Sequence, residues 1–121
     1  MKALSIKQPF LAEIMEGVKT IETRSRPTAF RGDLLLCASK NPAKEYFDPG
    51  DENLPLGMAL CIVHLDDCRP LLPADLDAAY ACDFEPGWFA WCLSNVRPLK
   101  KPFPVSGKRG IFDVEIPKAR A

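Results

Sequence analysis

"EGVKTIETRSRP", residues 16–27, opens on a turn glycine at Gly17 and closes on Pro27, with Ile21 and Thr23 set among charged neighbours. A strand sends alternate side chains to opposite faces, so Ile21 and Thr23 share one face while Thr20, Glu22 and Arg24 share the other. An acid and an arginine on one strand face can be an ordinary solvated ion pair, which stabilises little. With Lys19 in the preceding turn, they can instead be a placed set of charges beside a cleft. The flanking segments decide which frame they sit in.

Upstream, residues 3–6 (ALSI) read as a short strand. "KQPFLAEIMEGV" then places Phe10, Leu11, Ile14, Met15 and Val18 in one apolar stripe at helical spacing. Pro9 suits the first turn of that helix and Gly17 its end. Downstream, "RGDLLLCAS" (31–39) is a turn running into an apolar strand. Residues 40–55 combine Pro, Gly and acids and read as surface loop with one helical turn near 42–46. "GMALCIVHLDDC" (57–68) is apolar on both alternating faces over most of its length, the pattern of a strand covered on two sides. "PADLDAAYACDF" (73–84) reads as a helix, "GWFAWCLSNVRPL" (87–99) as a strand, "KPFPVSGKRG" (101–110) as a loop and "IFDVEI" (111–116) as a last strand. About six short strands with two or three helices, and few βαβ crossovers, predict an α+β fold. The expected architecture is a small, mostly antiparallel β-barrel with flanking helices, in one domain over residues 1–121.

At 47% hydrophobic and 26% charged, the chain has the composition of a domain with its own core. No apolar run approaches membrane-spanning length, and "MKALSIKQPF" is too short and polar for a signal-peptide core. A cytoplasmic protein without a membrane partner is expected. Cysteines stand at 37, 61, 68, 82 and 92 with no Cys-x-x-Cys pair, beside a single histidine. That argues against a zinc site and for reduced thiols acting as small hydrophobes; no metal and no cofactor are called for. His64, inside the apolar "CIVHL" run, reads as a satisfied interior or edge histidine. Lysine plus arginine equal aspartate plus glutamate at 16 each, but the ends of the chain are basic and the middle acidic. If the ends meet in space, a neutral protein acquires a basic face suited to phosphate. If they do not, the charges are merely dispersed.

"LSIKQPF", a helix, "GVKTIETR" and then "RGDLLLCAS" resemble, in that order, the start of ASCH domains, a PUA-like family. Its Gly-x-Lys-x-x-Glu-x-Arg pattern is met here by Gly17, Lys19, Glu22 and Arg24. "GMALCIVHLDDC", "GWFAWCLSNVRPL" and "KPFPVSGKRGIF" resemble the later strands, so the likeness runs through nearly the whole chain. It implies a PUA-like barrel and a cleft beside the motif that takes RNA, a nucleotide or a nucleoside. One branch of the family hydrolyses N4-acetylcytidine and another has ribonuclease activity. In the acetylcytidine branch the motif lysine, matched by Lys19, is catalytic, and a threonine stands three residues later. Here that position holds Glu22, a departure from the amidohydrolase. Many members have tryptophan after the "QP" pair; here it is Phe10, which keeps a ring but lacks the indole donor.

Candidate ligand-binding residues are Lys7, Gln8, Lys19, Glu22, Arg24, Trp88, Lys108 and Arg109. Arg24 offers a planar fork for phosphate or a base edge, and Glu22 can hold that fork or accept from a base amino group. Lys7 and Gln8 stand at a strand-to-helix junction, where free amides attract anions. Trp88 and Trp91 point to opposite faces of their strand. Trp91 reads as core and Trp88 as a rim ring able to stack on a base. Lys108 and Arg109 lie between Gly107 and Gly110, where backbone and charge can approach phosphate together. The first functional reading is an RNA- or nucleotide-binding domain. The alternative is a small hydrolase, with Lys19 and Glu22 as catalytic residues: Glu22 taking the 2′-hydroxyl proton of RNA and Lys19 holding the phosphorane charge. A lysine acting as base instead must lose its proton, which a nearby arginine favours and a nearby carboxylate opposes. A third reading makes the motif a structural ion network without a ligand.

Overall fold

A computed structural model describes residues 1–117. Lys118 and Arg120, part of the basic C-terminal count, lie outside the described residues.

Six strands form one curled sheet: β1 (Lys2–Ile6), β2 (Ile21–Arg24), β3 (Gly32–Ala38), β4 (Met58–Pro70), β5 (Phe89–Pro104) and β6 (Ile111–Asp113). Their order across the sheet is β2-β5-β4-β3-β1-β6. β1 and β3 run parallel, and every other pairing is antiparallel. Two helices, α1 (Phe10–Glu16) and α2 (Leu76–Ala79), flank the sheet. The α+β class and the small, mostly antiparallel barrel of six strands are as expected, with the sheet curled into a half-barrel.

β3 is covered on both faces. Leu34, Leu36 and Ala38 join Leu4, Ile6, Leu11, Ile14, Val63, Leu65 and Trp91 in the main core. Leu35 and Cys37 point the other way, to Ala3, Ala59, Leu99, Phe103 and Phe112. Each fully buried leucine contributes about 1.5–3 kcal/mol of transfer free energy. β4 is buried on both faces only at residues 59–61; from Cys61 to Leu65 it alternates buried and half-buried. His64 therefore sits on the outer face, its side chain 45% exposed, with Nδ1 2.6 Å from Asp66 Oδ1.

β5 is longer than the sequence suggested: it runs on through Pro98 and Pro102 to end at Pro104. Cys61 pairs with Pro98 and Ala59 with Phe103, so four residues of β5 stand against Leu60 alone. Pro102 falls inside that bulge, where no ladder amide is required. A second bulge sets Asn95 and Val96 against Val63, and Asn95 takes φ +52° there. Such bulges bend a strand and deepen its twist, which curls the two long strands around the core. At the other end, β6 stops at Asp113, short of the expected 116, although Val114 N still donates to the Met1 carbonyl at 2.9 Å.

α1 ends at Glu16 because Gly17 turns left-handed at φ +85°. Its N–H bonds the Ile14 carbonyl while that of Val18 bonds Glu13, a Schellman closure. Val18, expected in the apolar stripe, lies past this turn and is exposed. The helix expected over 73–84 shrinks to a 3-10 turn followed by α2, because Tyr80 at φ +52° closes it in the same way. Asp75 anchors that start: it is 7% exposed, bound bidentately by Arg69 at 2.7 and 2.8 Å, and accepts the Leu72 amide at 2.8 Å.

Candidate functional site

Lys19 leaves the end of α1 and turns inward. It is 5% exposed, and its Nζ donates to the Ala79 carbonyl at 2.7 Å, in the last turn of α2. The adjacent Thr20 amide takes the Ala78 carbonyl at 2.8 Å. Lys19 thus serves the orphan carbonyls of a helix end, those of α2 rather than of its own helix. The same Nζ lies 3.7 Å from Glu22 Oε1 and 5.5 Å from the Phe10 ring centroid.

Glu22 is also buried, at 7% exposure. Its Oε2 accepts from Arg24 Nε at 3.2 Å. Arg24 then donates from its terminal nitrogen to the Ser5 carbonyl at 2.7 Å, with its guanidinium 5.9 Å from the Trp91 ring centroid. Trp91, buried as expected, donates its indole N–H to the Arg26 carbonyl at 3.1 Å. Lys19, Glu22 and Arg24 therefore form one row of alternating charge linking the end of α2 to the end of β1. Only Arg24 reaches solvent to any degree, its side chain being 27% exposed. It lines a hollow of about 250 Å³ with Arg26, Trp91 and Gly110.

Beyond the C-terminal ends of the parallel pair β1 and β3 the surface is basic and concave. The Ser39 amide bonds the Ile6 carbonyl at 2.9 Å and that of Ala43 bonds Gln8 at 2.8 Å, which folds the loop after β3 against the start of α1. Two hollows that share Asn41 result. The larger, about 650 Å³, is lined by Lys7, Phe10, Lys44, Glu45 and Tyr46. The rings of Phe10 and Tyr46 stand 5.4 Å apart and tilted, a favourable aromatic contact. The smaller, about 280 Å³, is lined by Ser5, Ser39, Lys40, Ser106, Gly107 and Lys108. Ser5 belongs to this second hollow and its carbonyl holds Arg24, so the ion row and the groove meet at one residue.

Of the sequence candidates, Lys7 and Lys108 line these two hollows, Arg24 lines the separate hollow beside Trp91, and Arg109 is exposed beside Lys108. The basic N- and C-terminal segments do meet, through β1 beside β6 and Ser5 beside Gly107. Gln8 differs from expectation. It is 1% exposed, its Oε1 accepts the Ala12 amide at 2.9 Å and its Nε2 donates to the Pro55 carbonyl at 3.2 Å. Three amides at the start of α1 are also engaged within the protein: Phe10 N bonds the Lys7 carbonyl, Ala12 N bonds Gln8 Oε1 and Glu13 N bonds the Pro9 carbonyl. Trp88 is half-buried against the cluster of Ile21, Leu71, Ala79 and Ala90. The aromatic rings lining the basic groove are those of Phe10 and Tyr46.

Lys40, Lys44, Tyr46, Ser39 and Ser106 were not legible as site residues, because they sit in connections between strands whose folding no spacing reveals; Ser5, in β1, was missed because only the approach of the Ser106–Lys108 turn marks it. Glu13 was also missed. Its Oε1 is buried without a hydrogen-bond partner, and burial pushes its carboxyl up from the usual range against the pull of Lys19.

The sequence matches the model of the ASCH domain over residues 4–103. No curated protein matches it. Among solved structures it resembles ASCH from Zymomonas mobilis, with a TM-score of 0.67 at 15% identity over 94% of this chain and 87% of that one. A tyrosine-to-phenylalanine variant of the Zymomonas mobilis protein superposes with a TM-score of 0.64, also at 15% identity, over 94% of this chain and 89% of that one. At that identity the likeness speaks for the fold, while the family match extends across most of the sequence: the chain belongs to the ASCH domain family.

Proposed function

We propose that this chain, acting as a single domain over residues 1–121, binds RNA or a nucleotide in the basic groove beside its Gly-x-Lys-x-x-Glu-x-Arg motif. The observation that carries this reading is the convergence of Lys7, Lys40, Lys44 and Lys108 on two adjoining hollows, one of which also presents the rings of Phe10 and Tyr46. Positive charge along a concave track together with an accessible ring is what a single-stranded nucleic acid or a nucleotide needs. Within the motif, Arg24 has a partly open fork in the separate hollow it shares with Arg26 and Trp91, linked to the groove through the Ser5 carbonyl, and Glu22 holds it from behind. The five thiols are unpaired, as in a reducing compartment, and a cytoplasmic location goes with this reading.

Hydrolysis through Glu22 and Lys19 is the weaker reading. Glu22 has both oxygens within reach of cationic partners, and Lys19 donates to a backbone carbonyl inside the protein. A general base needs to reach a substrate proton within hydrogen-bond distance. The test is fluorescence anisotropy with a labelled single-stranded oligoribonucleotide and the Tyr46→Ala variant. Tyr46 is 55% exposed, so its loss leaves the core intact. Loss of one stacked base weakens binding by about five- to a hundredfold. Unchanged affinity in this variant would remove the groove from the reading.

A further inference from the structure

We propose that the smaller hollow is a phosphomonoester subsite, so that the groove discriminates a terminal phosphate from a phosphodiester or a bare hydroxyl. The inference rests on the nucleotide-binding reading and adds to it the chemical group recognised. Ser5, Ser39, Ser106, Lys40 and Lys108 line about 280 Å³, a set that carries three hydroxyls and two ammonium groups; Ser39 Oγ accepts the Asn41 amide at 3.2 Å and keeps its own proton to donate. A phosphomonoester carries about −1.5 to −2 charges at neutral pH and three strong acceptor oxygens. Two lysines match that dianion, whereas an internal phosphodiester brings one charge and two free oxygens. Lysine treats phosphate as a point charge, and hydroxyl donors supply direction.

The lining is built closely at two places. A Cβ added to Gly107 would stand 2.8 Å from Ser5 Oγ and 3.2 Å from Ser5 Cβ, so any larger residue there has to displace the Ser5 side chain. On the other wall, the Lys40 stem lies across Gly57, where an added Cβ would meet Lys40 Cγ at 3.1 Å. Gly57 also has φ +66° and bonds the Ala38 carbonyl at 2.8 Å. Lys40 is thereby laid along a fixed surface instead of being left as a free tether. The neighbouring hollow, with Phe10 and Tyr46, opens beside it across Asn41. A nucleotide with its phosphate in the first would extend along the surface that leads past Asn41 to the second.

The experiment compares three versions of one labelled hexauridylate, with a 5′-phosphate, with a 3′-phosphate, or with hydroxyls at both ends, by anisotropy at fixed salt. One phosphorylated form is expected to bind about tenfold or more tightly than the hydroxyl form, the worth of a charge-assisted contact. That advantage should shrink at pH 5, where the monoester loses its second charge. Gly107→Ala, which places a methyl against the Ser5 hydroxyl, and Lys108→Ala should each narrow the ratio to under about threefold. Equal binding of all three forms, or a ratio that survives both substitutions, overturns the subsite and leaves RNA binding standing. Inorganic phosphate titrated against the amide spectrum separates the remaining case. Shifts confined to Ser5, Gly107 and Lys108 with no hexauridylate bound support the subsite and overturn the RNA reading.

Discussion

Lys19 Nζ and the Ala79 carbonyl lie 2.7 Å apart although 60 residues separate them in the chain. This bond fixes the end of α2 to the turn before β2, and Glu22 balances the charge from the strand side. Lys19→Met leaves the buried Ala79 carbonyl without its donor, while Glu22 keeps Arg24 as a partner, so it should cost about 1–3 kcal/mol in urea unfolding. Adding Glu22→Gln should not recover that loss, because the Ala79 carbonyl stays unpaired and Arg24 loses its carboxylate. Loss of RNA binding by Lys19→Met with unchanged stability would assign Lys19 to the ligand instead.

Arg24 ends the same row at the Ser5 carbonyl. Arg24→Ala should weaken RNA binding and reduce the dependence of log affinity on log salt by about one phosphate's worth. Arg24→Lys restores charge without the fork that spans Glu22 and Ser5, so it should recover the salt dependence better than the affinity. Full recovery of affinity by lysine would show that only the charge is used.

Asp75 contributes acid sensitivity as the buried member of a set of depressed carboxylates that also includes the exposed Asp33, Asp66 and Asp113. Hydrogen bonding by Arg69 is the main cause that holds the Asp75 carboxyl below the usual range, with the Leu72 amide adding to it. A carboxylate depressed in the folded state contributes stability above its unfolded value of about 4, and that stability is lost as pH falls through the lower folded value. Wild-type stability should therefore drop below about pH 4. Asp75→Asn should lower stability at pH 7 by about 1–3 kcal/mol and flatten the acid limb. An unchanged acid limb in the variant would count against the Arg69 pair as its source.

Thiol reactivity should sort by burial. Burial pushes the Cys37 thiol up to about 11 and the Cys61 thiol up to about 12, the latter with a further push from Cys37. Thiolate is the reactive form, so neither should be alkylated in the native protein at pH 8. Exposed Cys82 should react first. Mass spectrometry of briefly treated native protein would show one dominant modified site, and early labelling of Cys37 or Cys61 would contradict the packing of β3 against β4.

The strands were legible because their apolar runs are periodic and bounded by turn residues: Ile21 and Thr23 behind Gly17, or the leucines behind Gly32. Prolines hid the second half of β5, since only the register reveals that Pro102 falls in a bulge. The motif pointed correctly to a charge cluster, but spacing along a strand carries no information on depth. Lys19 is buried where it meets the end of α2, a contact between residues far apart in sequence, and Glu22 is buried between Lys19 and Arg24. The groove was half legible. Lys7 and Lys108 followed from the uneven charge, whereas Lys40, Lys44 and Tyr46 depend on how the loop after β3 folds back on α1.

RNA binding in the basic groove is tested most directly by the affinity of a short single-stranded RNA measured from 50 to 300 mM monovalent salt. Lys7, Lys40, Lys44 and Lys108 surround the groove, and contact with about three or four phosphates gives a log–log slope of roughly −2 to −3 for a single strand. The expected result is that slope in the wild type, made shallower by about 1.4 when Lys7 and Lys44 are both replaced by alanine. Affinity that does not change across this salt range, or a slope untouched by the double substitution, would contradict binding in this groove.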